Sequence, residues 1–354
     1  MSDIDSHNAV KKIDKGGILD SIIALPHQVD AAFREVSKIE IPEEYAQAKN
    51  IVVTGMGGSA LGGRIIDSLT IGSIRAPLEV FTEPTLPKYV NSDTLVIVSS
   101  YSGNTAETLS ALGDAIEKKA KVFGICTGGK MEEILKKEKL PAYIFNPTAN
   151  PSNQPRMGLG YSITAVATVL SKLKFTDTSQ SDFVGVIRSM GELIADFGPD
   201  SPNEKNSAKS LALKLKGKIP VIIASEHLVG AAHAFKNQLN ENSKTFSLLF
   251  DIPEMNHHLL EGLKNPALAK KFLHFLLLES ELYSSVIKKR YPVSMDVIEQ
   301  NGVEASVYKL QTPSKLQQIY ELLVLGSFVS LYLAILYDID PSPIPWVDYF
   351  KSKL

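Results

Sequence analysis

The chain has 354 residues, of which 44% are hydrophobic, and its 37 basic residues nearly balance its 39 acidic residues. This length and composition are typical of a globular protein with two domains of ordinary size. A formal net charge of −2 gives no electrostatic reason to expect binding to nucleic acid or to a membrane surface. The single cysteine, Cys126, excludes an internal disulfide and fits a reducing compartment, and the polar N-terminus lacks the apolar stretch of a signal peptide. We therefore expect a cytoplasmic protein, with Cys126 in its core.

The first half of the chain is expected to alternate between strands and helices. Residues 1 to about 15 predict a loose tail, and helices follow at roughly 17–37. Apolar, β-branched runs predict strands at 51–54, 78–82, 94–98, 121–126 and 142–145. This alternation predicts a parallel sheet with helices on both faces. The Pro- and Asn-rich segment 146–155 is expected to hold no regular element and to close the first domain.

The most informative loop is 99–105, Ser-Ser-Tyr-Ser-Gly-Asn-Thr, which lies between a predicted strand and a helix predicted over 107–120. Asn104 is expected to cap that helix, and Glu107 three residues later completes a capping-box pattern. Helix N-termini attract anions, and hydroxyl groups together with backbone N–H groups suit a phosphate monoester. The candidate phosphate ligands of this loop are Ser100, Ser102 and Thr105.

A glycine-rich turn over 55–63 follows the first predicted strand. Gly58 lets the backbone approach a ligand closely, and Ser59 adds a hydroxyl at the start of a helix, so both are further candidate ligands. By itself, the spacing of Gly55, Gly57 and Ala60 also fits a degenerate dinucleotide fingerprint. The hydroxyl cluster of the second loop favours a sugar phosphate, but a dinucleotide-dependent oxidoreductase remains an alternative.

Taken together, the sequences GMGGSALGG (55–63) and SSYSGNT (99–105) resemble the sugar isomerase (SIS) domain. The resemblance implies a phosphosugar-binding fold. It does not identify a reaction, because SIS domains serve isomerases, synthases and regulators. A non-catalytic sugar-phosphate-binding module is therefore a second alternative.

The second half is expected to repeat the same scheme without the two loops, and so to supply catalytic groups rather than phosphate ligands. Strands are predicted at 219–224, 247–250, 272–278 and 305–309, and helices at 228–240, 281–299 and 314–336. The apolar stretch 322–337 is interpreted as a buried helix rather than a membrane span.

We thus predict an α/β fold of two SIS-type (flavodoxin/Rossmann-like) domains, each a parallel sheet flanked by helices. Residues 1–155 would form the N-terminal helices and the first domain. Residues 156–204 would form bridging helices, and residues 205–354 the second domain with a C-terminal helical segment.

Further segments resemble the bifunctional phosphoglucose/phosphomannose isomerases, and the resemblance runs from about residue 50 to the end. These segments are Pro155-Arg156, Leu239-Asn240-Glu241-Asn242, Asn256-His257, Asp340-Pro341-Ser342-Pro343-Ile344 and Lys351. The resemblance implies reversible isomerisation of glucose 6-phosphate and fructose 6-phosphate, and of mannose 6-phosphate, without a cofactor. It also implies a homodimer whose sites lie at the subunit interface, with the histidine supplied by the neighbouring subunit.

The chemistry of aldose–ketose isomerisation suits these residues. One carboxylate can move a proton between C1 and C2, which makes Glu241 the candidate base. Arg156 can stabilise the negative charge of an enediolate. His257 can shuttle a proton during ring opening, with assistance from Lys351. Ser342 is the candidate for a small hydroxyl residue near C2. On sequence alone Glu241 would pass for a solvated helix-end glutamate, and only the resemblance singles it out.

The chain departs from the family pattern at three places. His258 and Leu259 follow His257 where Asn and Glu are usual, so which imidazole opens the ring stays open. Ser342 stands where threonine is usual, and Ser327 stands where aspartate is common. The adjacent histidines have no supporting ligands elsewhere, so we expect no metal site.

Overall fold

The structure is a computed structural model that describes residues 4–353. Its strands are β1 (Asn50–Thr54), β2 (Leu78–Phe81), β3 (Thr94–Ser100), β4 (Lys121–Cys126), β5 (Ala142–Ile144), β6 (Ile219–Ala224), β7 (Leu248–Asp251), β8 (Leu273–Glu279) and β9 (Glu304–Lys309). Its α-helices are α1 (His7–Ile13), α2 (Ile18–Ile23), α3 (Leu25–Ser37), α4 (Gly58–Thr70), α5 (Ala106–Glu117), α6 (Gly129–Lys137), α7 (Leu159–Lys172), α8 (Gln180–Phe197), α9 (Ser207–Leu215), α10 (Val229–Glu241), α11 (Leu259–Gly262), α12 (Ala269–Phe272), α13 (Ser285–Gln300), α14 (Lys315–Leu336) and α15 (Pro345–Lys351).

The chain divides into two compact units, each with one sheet. The continuous unit comprises residues 24–188, and the split unit combines the segment up to Ile23 with the residues from Ser189 onward. These bounds differ from the predicted domains 1–155, 156–204 and 205–354. The continuous unit extends past residue 155 because α7 packs against α3 and α4, and the split unit includes the N-terminal segment because α1 and α2 pack against α14.

The sheet of the continuous unit has the strand order β2-β1-β3-β4-β5, and all of its strands are parallel. All seven residues of β3 are buried, as expected for a central strand covered by helices on both faces. The strand order reverses between β1 and β3, whose carboxyl ends are paired at Thr54 and Val98. Ligands of open α/β sheets bind beyond the carboxyl ends of the strands at such a reversal.

The sheet of the split unit has the order β7-β6-β8-β9 and is also parallel throughout. This order repeats that of the first four strands of the other sheet. The predicted fold class, two parallel sheets flanked by helices, is therefore confirmed.

The core of the split unit is built around α14. Every residue from Leu316 to Leu336 is buried. Among residues 4–353 this is the one helix that is long and apolar enough to cross a membrane by length and composition, and its apolar window is wholly enclosed by the protein. A helix that is apolar all round fits the centre of a large core. The predicted buried helix over 322–337 is confirmed.

The predicted loose tail is wrong for the part of it that the structure describes, whereas residues 1–3 lie outside the described residues. Helix α1 begins after Ser6, whose Oγ accepts a hydrogen bond from the Ala9 N–H (3.2 Å). Val10 is fully buried, and the Asp5 carboxylate lies 3.1 Å from the Lys209 Nζ. The segment is ordered by tertiary contacts with residues distant in the chain, which its own polar sequence does not reveal.

Candidate active site

Two helix N-termini meet at the strand reversal of the continuous unit. Helices α4 and α5 follow the carboxyl ends of β1 and β3, and their N-cap residues, Gly57 and Thr105, make no side-chain cap hydrogen bond. The first N–H groups of a helix lack the partner four residues back and carry the positive end of the helix dipole. In α4 the N–H groups of Ser59 and Ala60 donate to the carbonyls of Met56 (3.0 Å) and Gly57 (3.2 Å), which leaves the Gly58 N–H at the front of the helix. Two such ends side by side form a site for an anion.

The predicted cap of α5 by Asn104 is wrong, and Thr105 occupies the N-cap position instead. The Asn104 side chain is held by the neighbouring loop, because its Oδ1 accepts a hydrogen bond from the Lys130 N–H (3.1 Å). Its Nδ2 donates to the Ser102 carbonyl (3.2 Å). The cap residue that the sequence suggested therefore fixes the loop and does not cover the helix end.

Gly103 shapes the loop between β3 and α5. It has a φ of +69°, a left-handed conformation that favours glycine, and a Cβ at this position would lie 1.8 Å from the carbonyl oxygen of Gly128. Its N–H donates to the Ser100 carbonyl (3.1 Å), and its own carbonyl accepts from the Met131 N–H (2.9 Å). The loop is thereby fixed to the start of α6.

The predicted hydroxyl ligands lie around this loop in different environments. Ser59 Oγ accepts from the Tyr101 N–H (2.9 Å) and so joins the two loops. Ser100 is 1% exposed, and its Oγ donates to the Thr105 Oγ1 (3.3 Å). Ser102 is exposed, and its Oγ accepts from the Asn104 N–H (3.3 Å). Ser102 thus faces solvent, whereas Ser100 supports the loop from beneath.

Arg156 lies beside the glycine-rich turn in the same unit. Its side chain is buried, and its Nη1 donates to the Gln154 Oε1 (2.8 Å). A Cβ at Gly58 would lie 3.2 Å from the backbone nitrogen of Arg156, so the glycine permits this close approach. The structure therefore brings the predicted charge-stabilising group next to the predicted phosphate loops.

Tyr101 forms one wall of this region, a role that the sequence did not suggest. Burial raises the pKa of its phenol to about 12, although a hydrogen bond from Asn150 opposes the shift. The Tyr101 hydroxyl accepts from Asn150 Nδ2 (2.9 Å) and donates to Asn153 Oδ1 (3.3 Å). A neutral phenol thus holds the segment that leads to Arg156. Tyr101 also lines a small cavity with Gly58, Ser59, Pro155, Gly158 and Ser162.

Glu241 is the last residue of α10, and this helix end is anchored to α14 in the split unit. Gln238 Nε2 donates to Ser327 Oγ (2.8 Å), and the buried Asn242 donates from Nδ2 to Ser330 Oγ (3.0 Å). Ser327, a departure from the family pattern, thus accepts a hydrogen bond that orients α10. The Glu241 side chain remains partly exposed beside this fixed backbone.

His257 ends a 3-10 turn, Glu254–His257, that follows β7, and it is exposed. His258 is also exposed, but its Nε2 lies 3.8 Å from the Glu254 Oε1, and its ring lies 6.4 Å from that of Phe250. Asn256 Nδ2 donates to Ser294 Oγ (2.7 Å) and fixes the turn. Both imidazoles are exposed, and the contacts with Glu254 and Phe250 belong to His258.

Glu241 and His257 lie at opposite edges of one sheet. The residue before β7, Ser247, donates from its Oγ to the Asn240 Oδ1 (2.9 Å), which places the end of α10 at the amino edge. His257 follows the other end of β7, and the Ile252 N–H bonds to the Ala224 carbonyl at the carboxyl edge. A four-residue strand spans about 13 Å. Within one chain, Glu241 and His257 are therefore too far apart to act on the same substrate proton.

Of the two remaining predicted residues, the structure brings one toward Glu241. Ser342 is buried, and the preceding carbonyl of Pro341 accepts from Lys244 Nζ (3.1 Å), which also donates to the Glu241 carbonyl (2.7 Å). Lys351 lies on α15, where no residue is buried.

At the carboxyl edge of the second sheet, a buried imidazole lies in the turn between β6 and α10. His227 is 1% exposed, and its Nε2 lies 2.9 Å from the Gln318 Oε1, which also accepts from Ser280 Oγ (2.6 Å). Burial lowers the pKa of this imidazole, although the hydrogen bond with Gln318 opposes the shift. Packed side chains thus fill the turn between β6 and α10. Over residues 4–353, no group of three or more His, Cys, Asp or Glu side chains could hold a metal ion.

Comparison with known proteins assigns the chain to a family. A family model described as the bacterial phospho-glucose isomerase C-terminal SIS domain matches residues 204–354. A bifunctional phosphoglucose/phosphomannose isomerase of Caldicellulosiruptor bescii is 34% identical over 343 residues, covering 95% of this chain and 98% of that protein. The chain belongs to the bifunctional phosphoglucose/phosphomannose isomerase family. A second member, from Aquifex aeolicus, is 30% identical over 92% of this chain and 97% of its own length.

The fold of this member of the bifunctional isomerase family also resembles solved structures. A hypothetical protein from Thermus thermophilus superposes with a TM-score of 0.74 at 16% identity, covering 95% of this chain and 89% of that one. The identity to the Caldicellulosiruptor bescii and Aquifex aeolicus proteins confirms the predicted family, and the solved structure supports the fold. The roles of the individual site residues stay predictions.

Proposed function

We propose that this chain catalyses the reversible isomerisation of glucose 6-phosphate and fructose 6-phosphate, and also converts mannose 6-phosphate. The main support is the 34% identity to a bifunctional phosphoglucose/phosphomannose isomerase over 98% of that protein. The two uncapped helix ends at the strand reversal support phosphate binding. Neither a dinucleotide-dependent oxidoreductase nor a non-catalytic binding module is needed to account for these features.

In the proposed mechanism, the loops of the continuous unit hold the phosphate. Ser59, Ser102, Thr105 and the backbone at Gly58 would donate to it, with Ser100 supporting the loop. Glu241 would move the proton between C1 and C2, and Arg156 would stabilise the enediolate. His257 would open the sugar ring, with Lys351 assisting at O5.

We also propose that the active enzyme is a homodimer in which His257 of a second copy completes the site around Glu241. The separation of these two residues across one sheet supports this arrangement. Two copies related by a twofold axis can exchange equivalent elements reciprocally, so one contact would complete both sites.

Turnover of fructose 6-phosphate, followed by dehydrogenase-coupled detection of glucose 6-phosphate, tests the activity directly. NMR of mannose 6-phosphate solutions tests the second substrate. Activity should persist in excess EDTA, because proton transfer by side chains requires no metal. Absence of turnover for both sugars would refute the proposed function, and loss of turnover in EDTA with recovery on adding zinc would refute the mechanism.

A mixing experiment tests the shared site. Glu241→Gln and His257→Asn chains should each be inactive alone. After subunit exchange, half of the dimers are mixed and each has one intact site, so activity should recover to about a quarter of the wild-type value. No recovery in a sample that forms mixed dimers would show that each chain builds its own site.

We propose a cytoplasmic location, because one buried cysteine fits a reducing compartment. Cell fractionation followed by immunodetection tests this location.

A further inference from the structure

Lys244 connects the end of α10 to the segment that contains Ser342. Its Nζ donates to the carbonyls of Glu241 (2.7 Å), Asn242 (3.2 Å) and Pro341 (3.1 Å). An ammonium group has three protons, and three carbonyls accept them here. A cation at the last carbonyls of a helix is also favoured by the helix dipole.

The backbone of Lys244 adopts an uncommon conformation. Its φ is +55°, in the left-handed region that disfavours residues with a Cβ. Glycine or asparagine would occupy this position with less strain. Lys119, Lys139 and Lys174 share this conformation, so the three bonds of the Lys244 Nζ, rather than its φ, distinguish this residue.

Gly16 contacts the same segment from the other side. A Cβ at Gly16 would lie 1.9 Å from the Ser342 Oγ and 2.3 Å from the Ser342 Cβ. The turn that contains Gly16 is fixed by Asp14, whose carboxylate accepts from the N–H groups of Ile18 (2.9 Å) and Leu19 (2.7 Å). Ser342 therefore packs directly on a rigid main chain, and a change of its own rotamer could not clear an added methyl group.

We infer that Lys244 and Gly16 are positioning residues that fix the backbone at Glu241 relative to Ser342, and thereby set the ratio of mannose 6-phosphate to glucose 6-phosphate turnover. The inference rests on the proposed function. Lys244 holds the segment by its carbonyl, and Gly16 leaves the space that the Ser342 side chain occupies. Neither residue needs to touch the substrate.

The effect on the ratio follows from the geometry of the two sugars. Glucose and mannose 6-phosphates are epimers at C2, so their C2 protons leave from opposite faces of the carbon that becomes the enediolate. One base serves both only if the open chain can rotate beside it. A displacement of the base relative to the neighbouring wall therefore changes the two transfers unequally, whereas weaker phosphate binding affects both sugars alike.

Lys244→Met removes the donors and keeps most of the side-chain length. We expect kcat to fall by about tenfold to a hundredfold, as for other small misplacements of reacting groups. The ratio of the two kcat values should change by at least about threefold, which converts to roughly 0.6 kcal/mol of differential stabilisation. KM for fructose 6-phosphate should stay within about twofold, because the phosphate loops are untouched.

Three further variants separate positioning from general damage. Lys244→Arg keeps donors and should return the ratio toward the wild-type value. Gly16→Ala keeps Lys244 but displaces Ser342, so its ratio should also change. The controls are Lys216→Met, which removes an exposed lysine next to α9, and Gly191→Ala, where an added Cβ meets nothing within 4 Å. Both controls should retain the wild-type ratio.

The outcomes distinguish a failure of the proposed function from a failure of the inference about Lys244 and Gly16. A wild-type enzyme that converts neither sugar would refute the proposed function. An active wild type whose Lys244→Met and Gly16→Ala variants keep the wild-type ratio would overturn the inference alone. If Lys244→Met does not fold, the ratio of Gly16→Ala decides, because Lys244→Arg is expected to keep the wild-type ratio. An unchanged ratio in Gly16→Ala would then overturn it.

Discussion

Replacement of Ser102 by alanine tests the phosphate loop with little disturbance of the fold. The side chain is exposed, and its Oγ accepts a long hydrogen bond from the Asn104 N–H (3.3 Å). Removal of its hydroxyl should therefore change the free energy of unfolding by less than about 0.5 kcal/mol. A rise in KM cannot then be attributed to unfolding and must come from the loss of a contact with the ligand.

The expected effect on KM follows from the charge of the phosphate. A hydrogen bond to a charged group contributes about 1.5–3 kcal/mol, which corresponds to roughly ten- to 150-fold in affinity. Ser102 is open to solvent, and water can replace part of this bond, so we expect the lower end, about tenfold. The turnover number should stay within about threefold, because ground and transition states share the phosphate contact.

Steady-state kinetics with fructose 6-phosphate measures both constants, and urea unfolding measures stability. Ser110→Ala removes another exposed serine, on α5, and should leave KM unchanged. Ser100→Ala removes a buried hydroxyl and should lower the free energy of unfolding by about 1 kcal/mol as well. An unchanged KM in Ser102→Ala, or a fall in kcat at constant KM, would refute the assignment of this loop.

Further substitutions address other parts of the molecule. Glu241→Gln should abolish isomerisation while fructose 6-phosphate still protects the protein from thermal unfolding, and near-normal turnover would exclude Glu241 as the base. Gly103→Ala should lower the free energy of unfolding by at least about 3 kcal/mol, because a left-handed φ and overlap with the Gly128 carbonyl both oppose a Cβ. Gly113→Ala is the control, because open space surrounds Gly113, and a urea titration should show no destabilisation. Glu321→Gln should destabilise the split unit by about 3 kcal/mol. The fully buried carboxylate accepts from the N–H groups of Gln311 (2.9 Å) and Thr312 (2.9 Å), and an amide nitrogen would face one of these donors. Calorimetry that shows no fall in melting temperature would contradict this.

Local patterns were sufficient to predict most of the framework. The β-branched runs predicted the five strands of the first sheet to within a few residues. For the central strands β1 and β3 the reason is that a strand buried on both faces is apolar nearly throughout. The hydroxyl-rich loop was correctly placed between β3 and α5 for a similar reason, since glycine and hydroxyl residues mark the turn itself. These features depend on neighbours within a few positions of the chain.

Features that depend on distant partners were missed. Asn104 has every local property of a cap, but Lys130 competes for its side chain. Helix α1 forms because Val10 enters a core made largely from the second half of the chain. Nothing near Lys244 in the sequence points to Pro341, which is 97 positions away. The importance of Glu241 likewise came only from resemblance, because a glutamate at a helix end is ordinary.

The ribosome synthesises the continuous unit without interruption, but it synthesises the two segments of the split unit at opposite ends of translation. The strands β1–β5 and the helices that cover them are contiguous, so that half of the protein can fold as soon as it has emerged. Helices α1 and α2 emerge before it, but α14, against which they pack, is translated near the end. Three apolar residues of this segment are fully buried in the finished protein: Val10, Ile18 and Leu19. During most of translation the helix that buries them has not yet been made. The nascent chain therefore has exposed apolar residues near its N-terminus. The split unit can complete its folding only when α1 and α2 pack against α14, which closes a loop of most of the chain.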